Sequence, residues 1–189
     1  MVVNKHRPLS PLGFAPADLV KPAIQSVASG ELALLNATTA RAAEIMFKAA
    51  ALAGVTMVLA SGYRSYASQQ ILYGGYVAAW GQASADTASA RPGYSEHQTG
   101  WSFDIADGSG LASFTPGFKD QPAAIWAAAN AYRFGFVVRY PWLQHTVTGF
   151  YYEPWHLRFI GTEAAGAMHL RGIETLEEYV GLPAAPGYV

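Results

Sequence analysis

The chain contains no cysteine. Disulfide bridges, thiolate metal sites and a cysteine nucleophile are therefore excluded. Charge is also scarce. Asp, Glu, Lys and Arg make up 13% of the residues, against roughly one-quarter in an average soluble domain. The formal net charge is −1 and no basic run exists. Nucleic-acid binding needs a positive patch that displaces counterions, so it is set aside as a function. Long apolar stretches are missing too. The longest, AAALAGVTMVLA over 49–60, contains Gly54 and falls short of the roughly 20 residues needed to span a bilayer. The opening MVVNKHRPLSPLGFAPADLV has no apolar core followed by a small-residue cleavage site, so it is not a secretory leader. The expectation is a chain soluble as it stands, with any export or anchor segment outside it.

What is present is a globular composition, 51% hydrophobic over 189 residues, enough for one core without covalent staples. The expected organisation is a single domain, 1–189. Pro8, Pro11, Pro16 and Pro22 prevent a long helix in residues 1–23, which read as an extended arm lying on the domain. Asn36 or Thr38 caps a predicted helix running to about Ala53, with Ile45, Phe47, Leu52 and several alanines as its apolar face and Gly54 as its stop. Residues 55–60 read as a buried strand and 65–80 as a second helix. Residues 81–100 read as loop with at most one helical turn. The alternation in 101–106 predicts a strand, Pro122 to Gly135 a helix, 136–140 a short strand, and GFYYEPWHLRFIG a β-rich segment broken by Pro154. Thr162 is expected to cap a helix to about Arg171, and ETLEEYV to form a last short one. Helices and strands mix without βαβ alternation. The class is therefore α+β, a small and mostly antiparallel sheet flanked by helices.

Two segments carry chemistry. YSEHQTGWSFDI (94–105) places His97 and Asp104 on either side of Gly100, and FYYEPWHLRFIG (150–161) places Glu153 three residues before His156. A catalytic zinc takes three nitrogen or oxygen ligands and keeps a fourth position open; His97, Asp104 and His156 are candidates for the three. In a strand over 101–106, Ser102 and Asp104 share one face while Phe103 and Ile105 take the other. Pro154 removes a ladder donor and invites a bulge that turns Glu153 and His156 to one cleft, where Glu153 would be the general base. A third segment, SGYRSYASQQ, puts Arg64 after a glycine turn at a strand end, where a guanidinium can hold a carboxylate with two parallel hydrogen bonds or, in a catalytic role, steady the oxyanion of a tetrahedral intermediate; Gln69 follows on the next helix. Singly, each residue has an ordinary reading: a surface histidine, a paired strand aspartate, a turn glutamate, a core histidine, a helix-start arginine. Together those readings require four coincidences. His6, His145 and His169 lack such context and receive no role.

These segments resemble a known family. SEHQTGWSFD is similar to the Ser-x-His-x-x-Gly-x-Ala-x-Asp signature of the D-alanyl-D-alanine metallopeptidases, EPWH to their Glu-x-Trp-His signature, and SGYRSYASQ to the segment carrying their substrate arginine and glutamine. The arm VNKHRPLSPLGFAPADLV and TGFYYEPWHLRFIG resemble the vancomycin-resistance-type D,D-carboxypeptidase branch. The resemblance runs from the arm to about Gly161. It implies a zinc (Zn2+) site of His97, Asp104 and His156, Glu153 as base, and Arg64, Gln69, Ser95 and Trp155 around the stem peptide. It also implies a fold shared with lysostaphin-type and hedgehog-type zinc domains. The implied activity is trimming of peptidoglycan stem peptides outside the cytoplasm, by removal of a C-terminal D-alanine. L,D-carboxypeptidase or endopeptidase action is the alternative within the family, and a non-catalytic, zinc-stabilised wall-binding domain the alternative from another class. Glu153 argues against the latter, because a purely structural site needs no base. One departure is Ser102 in place of the signature's alanine, expected to donate to Asp104.

Overall fold

The computed structural model describes residues 1–110 and 113–189. Its main sheet has four short strands, β3 (Val58–Ser61), β4 (Ser102–Ala106), β5 (Phe136–Val138) and β6 (His156–Phe159), in the order β3-β4-β6-β5 with every pair antiparallel. A two-stranded ribbon joins β1 (Leu19–Val20) to β2 (Leu35–Asn36). The helices are α1 (Ala37–Leu52), α2 (Tyr66–Trp80), α3 (Gln82–Ala88), α4 (Pro122–Asn130), α5 (His145–Thr148), α6 (Thr162–Arg171) and α7 (Leu176–Tyr179). The α+β class and the antiparallel sheet agree with the reading of the sequence.

Strand alternation divides the sheet into two unlike faces. Leu59, Phe103, Ile105, Phe136 and Leu157 enter the core and pack with Ala40, Ala43, Met46, Phe47 and Ala50 of α1 and with Ala123, Ala124 and Ala127 of α4. Ser102, Asp104, His156 and Arg158 lie on the other face and are also buried. That face is covered by a 3-10 turn at Glu96–Thr99 and by the chain ends. A buried polar face is costly unless its groups find partners, and the partners it finds build the site described below.

The arm is anchored rather than loose. Val3, Asn4, Lys5 and Leu9 are buried. Asn4 donates to Glu177 (2.9 Å), and Lys5 Nζ donates to the Gly149 carbonyl beneath the Phe150 ring. Asn36 caps α1 through the backbone N–H groups of Thr38 and Thr39, while its own amide donates to Asp18 of the arm.

Several local expectations are corrected. Ile45 and Leu52 point to solvent; they share the outer face of α1 with Arg41 and Lys48, while Ala40, Ala43, Met46, Phe47 and Ala50 make the buried one. Residues 82–88 form α3, hidden from sequence reading by Ser84, Asp86 and Thr87 and by the lack of a side-chain cap. Gly161, not Thr162, occupies the cap position of α6. Strand β5 ends at Val138. Pro154 does not bulge a strand; it sits in a turn, with the His156 N–H donating to the Glu153 carbonyl, and β6 starts at His156.

Candidate active site

Three neighbouring strands bring the site together. In the register, Ser61 of β3 lies opposite Asp104 of β4, and Asp104 lies opposite His156 of β6. Directly opposed residues in an antiparallel pair have side chains close together on one face. Asp104 Oδ1 accordingly lies 3.0 Å from His156 Nδ1. His97 arrives from the 3-10 turn, which ends at Gly100 with φ +68°. A side chain at Gly100 would press on the Asn36 amide at 2.8 Å, so the turn needs glycine there. His97 Nε2 then lies 3.4 Å from Asp104 Oδ2, and the two imidazoles stand edge to face at 4.8 Å.

The ligand-capable atoms of His97, Asp104 and His156 all lie within 4.8 Å of one another. Two atoms bound tetrahedrally to one zinc at ~2.0–2.1 Å are separated by about 3.3 Å. The 3.0 and 3.4 Å contacts match that spacing, and two imidazoles with one carboxylate suit a borderline-soft dication. The outward ring atoms suit it as well. His97 Nδ1 is 2.7 Å from the Gly62 carbonyl, which fixes Nδ1 as donor and leaves Nε2 with a free lone pair facing Asp104. His156 presents Nδ1 to the cluster, and its Nε2 faces Glu96 Oε2 at 3.7 Å. The residues present therefore fit the metal.

Glu96 was missed in the sequence, and it organises the polar face. Its fully buried carboxylate accepts from Arg139 Nε (2.9 Å) and Ser102 Oγ (3.1 Å), and Arg158 Nη1 lies 2.8 Å away. Ser102 thus donates to Glu96 and not, as expected, to Asp104. Arg139 also grips Glu177 with two hydrogen bonds of 2.7 and 2.9 Å, and Arg158 donates to the Met1 carbonyl at 2.7 Å. The signal available in the sequence was three charged residues beside apolar or site-bearing segments: Glu96 next to His97, Arg139 near the end of FVVRY and Arg158 in HLRF.

Glu153 is 17% exposed, and its Oε2 is 3.8 Å from His156 Nδ1. Burial pushes its carboxyl up to about 8, with Asp104 adding to the rise and His156 and Arg64 opposing it. Burial pulls on both histidines. It lowers His97 despite Asp104, whereas at His156 the hydrogen bond to Asp104 and the nearby carboxylates of Glu96 and Glu153 more than offset it and raise the ring to about 9. Asp104 and Glu96 are both held below the ordinary carboxylate range: burial alone would raise them, but His97 and His156 prevail at the first, and Arg158 and Arg139 at the second.

Arg64 follows β3, its N–H donating to the His97 carbonyl at 3.2 Å. Its guanidinium donates to Gln69 Oε1 (2.9 Å) and Ser61 Oγ (3.0 Å). Gln69 is fully buried, with its amide donating to Ser89 and to the Ala90 carbonyl. Its placement sets the direction of Arg64. Ser95 is buried at the start of the 3-10 turn, and its carbonyl accepts from Gln98. Trp155 is half-buried against the core, edge to face with Phe114.

Residues 32–162 match the model of the VanY D-alanyl-D-alanine carboxypeptidase family. The chain belongs to that family. It is 37% identical over 180 residues to the putative carboxypeptidase YodJ of Bacillus subtilis, covering 94% of this chain and 65% of that protein. Among solved structures, the LdcB LD-carboxypeptidase superposes with a TM-score of 0.88 at 36% identity, covering 95% of this chain and 84% of that one. A mutant of the vancomycin-resistance D,D-pentapeptidase VanY from a VanB-type cassette, in complex with Zn(II), superposes with a TM-score of 0.78 at 33% identity, covering 95% and 97%. The chain spans between 36% and 65% of the length of the curated relatives it matches. No helix among the described residues is long and apolar enough to cross a membrane.

Proposed function

We propose that this VanY-family chain is a zinc-dependent D,D-carboxypeptidase that removes the C-terminal D-alanine from peptidoglycan stem peptides, acting outside the cytoplasm. The observation that carries the reading is the convergence of His97, Asp104, His156, Glu153 and Arg64 on one side of three strands. A purely structural metal site would need neither the acid nor the guanidinium.

His97, Asp104 and His156 would hold the ion. When bound, zinc lowers the pKa of a water and polarises the scissile carbonyl. Glu153 takes a proton from the attacking water and passes it to the leaving amine. In the bare cluster Glu153 sits near 8; a dication held by its neighbours favours its carboxylate form, as the base role requires. Arg64, braced by Gln69 and Ser61, is preorganised to clamp the terminal carboxylate of the peptide. Ser95 and Trp155 border the same peptide.

The second reading is L,D-carboxypeptidase activity. The superposition on the LdcB LD-carboxypeptidase, at a TM-score of 0.88 against 0.78 for the D,D-pentapeptidase, favours it. Incubation with tetrapeptide and pentapeptide stems, with and without chelator, and mass spectrometry of the products separates the two. Loss of D-alanine from the pentapeptide alone supports the D,D reading, loss from the tetrapeptide alone the L,D reading. Chelator-insensitive cleavage, or none, would defeat both.

A further inference from the structure

Gln69 aims Arg64, and the orientation of its own amide has a visible cause. Gln69 Oε1 accepts from Arg64 Nη1 at 2.9 Å, while Nε2 donates to Ser89 Oγ at 3.0 Å and to the Ala90 carbonyl at 2.7 Å. A hydroxyl can donate or accept, so Ser89 would serve either end of the amide. A carbonyl only accepts. Ala90 therefore selects the NH2 end and leaves the amide oxygen facing the guanidinium. With the amide reversed, two acceptors would meet at Ala90 and two donors at Arg64, a costly arrangement around a buried side chain.

The Ala90 carbonyl is itself held from behind. Ala90 and Arg91 lie between α3 and the 3-10 turn, outside any helix or strand. The peptide group joining them is trans, so its C=O and N–H point in opposite directions. The C=O takes Gln69, and the N–H donates to Tyr188 Oη at 2.8 Å. Hydrogen bonds at both ends of one amide polarise it and strengthen each other. Tyr188 has firm support in turn. Its ring lies 4.1 Å from the Arg91 guanidinium, edge to face with Tyr94 at 5.1 Å, and 5.4 Å from Lys5 Nζ of the arm. Arg91 is fixed by two hydrogen bonds to Asp86 of α3, which also accepts from Tyr73 of α2. Ala185, just upstream of Tyr188, is buried with its N–H donating to the Val147 carbonyl at 2.8 Å.

We propose that Tyr188 is a positioning residue for the substrate: through the Ala90–Arg91 peptide it fixes the amide of Gln69, and through Gln69 the direction in which Arg64 meets the terminal carboxylate of the stem peptide. The inference rests on the reading of Arg64 as the carboxylate clamp. The path from Tyr188 to Arg64 is continuous, each step a hydrogen bond of 2.7–2.9 Å or a single planar peptide. The hydroxyl carries it, not the ring. Fastening the segment that follows α7 needs only the ring, which Arg91, Tyr94 and Lys5 already pack. The oxygen adds one contact, to the N–H directly opposite the carbonyl that Gln69 uses. Tyr94 also precedes Ser95, so the same ring borders the start of the turn that delivers Ser95 and His97.

The test uses the zinc-loaded full chain as wild type and as Tyr188→Phe, which keeps the ring and removes the acceptor. kcat/KM is measured on a stem peptide ending in a free carboxylate and on the same peptide ending in an amide, which Arg64 cannot clamp as an ion pair. In the variant the acid-to-amide ratio should fall roughly three- to ten-fold, the effect of one lost hydrogen bond, through KM with kcat nearly unchanged. By NMR, the Gln69 side-chain amide protons should shift and exchange faster in the variant, and the Arg91 backbone amide of the wild type should be protected from exchange. Unshifted Gln69 signals or an unprotected Arg91 amide would overturn the proposal. So would an unchanged ratio, or an equal loss on both peptides, where the wild type prefers the free acid. A wild type without that preference defeats the clamp reading of Arg64 instead, and the Gln69 and Arg91 signals then decide whether Tyr188 sets Gln69.

Discussion

The Gly62 carbonyl oxygen lies 2.7 Å from His97 Nδ1, joining the end of β3 to the candidate metal centre. The glycine is required for a reason unrelated to that bond. A Cβ on Gly62 would collide with the carbonyls of Leu34 and Leu32, and the Gly62 N–H already donates to Leu32 at 2.6 Å. Gly62→Ala must displace backbone, and the carbonyl that aims His97 moves with it. The expected outcome is a loss of about 1–3 kcal/mol in stability and a roughly 10–100-fold weaker metal affinity. Thermal melts and competition titration with a chelating dye measure the two. Unchanged metal affinity in a destabilised variant would show that the carbonyl does not orient the ring.

Glu153→Gln should separate chemistry from binding. Glutamine keeps the shape but cannot accept the proton, so turnover should fall by roughly 10²–10⁴-fold. Glu153 is not among the three clustered ligand residues, so metal content should stay stoichiometric. Steady-state kinetics on stem peptides and elemental analysis give the two readouts. Near-normal turnover would remove Glu153 from the mechanism.

Glu96→Gln tests the support beneath His156. Two arginines, both with fully buried heads, share the Glu96 carboxylate. Removing one partner of a buried ionic network leaves uncompensated charge, at a cost of about 3–5 kcal/mol. The variant should also bind metal less tightly, because His156 Nε2 loses its carboxylate neighbour. Denaturant unfolding in the presence of chelator isolates the first effect, and metal titration of the folded variant the second.

Much of this arrangement was legible in the sequence because strand periodicity is local. The alternation in 101–106 placed Asp104 and Ser102 opposite Phe103 and Ile105, and the structure has that division. The helices at 37–52 and 66–80 were marked by Asn36 and Ser65 at their starts. What stayed hidden depended on distant partners. Glu96 next to His97 looked like a loop acid; only the fold brings Arg139 and Arg158 to it across 43 and 62 residues. Ser102 found Glu96 for the same reason. Ile45 and Leu52 misled because the face of α1 that packs on the sheet is built of Ala40, Ala43, Met46, Phe47 and Ala50, and large apolar residues occur on the opposite face as well.

The pH dependence of metal binding follows from the raised His156 pKa. The folded, metal-free value is about 9, against roughly 6.5 for an unperturbed histidine. A raised folded value means that the protonated ring adds stability fully below about pH 6.5, and that this contribution fades as pH rises through 9. Glu153, raised to about 8, fades in the same direction from its unperturbed value upward. The metal-free protein should therefore lose stability between about pH 6.5 and 9. Ligation needs the neutral imidazole, so a proton on His156 competes with the ion, and the competition weakens over the same interval. The gap in Tm between zinc-loaded and chelator-treated protein should thus widen from pH 6 to 8.5. Paired thermal melts across that range measure it. A gap that stays constant or narrows would show that His156 does not exchange a proton for the metal.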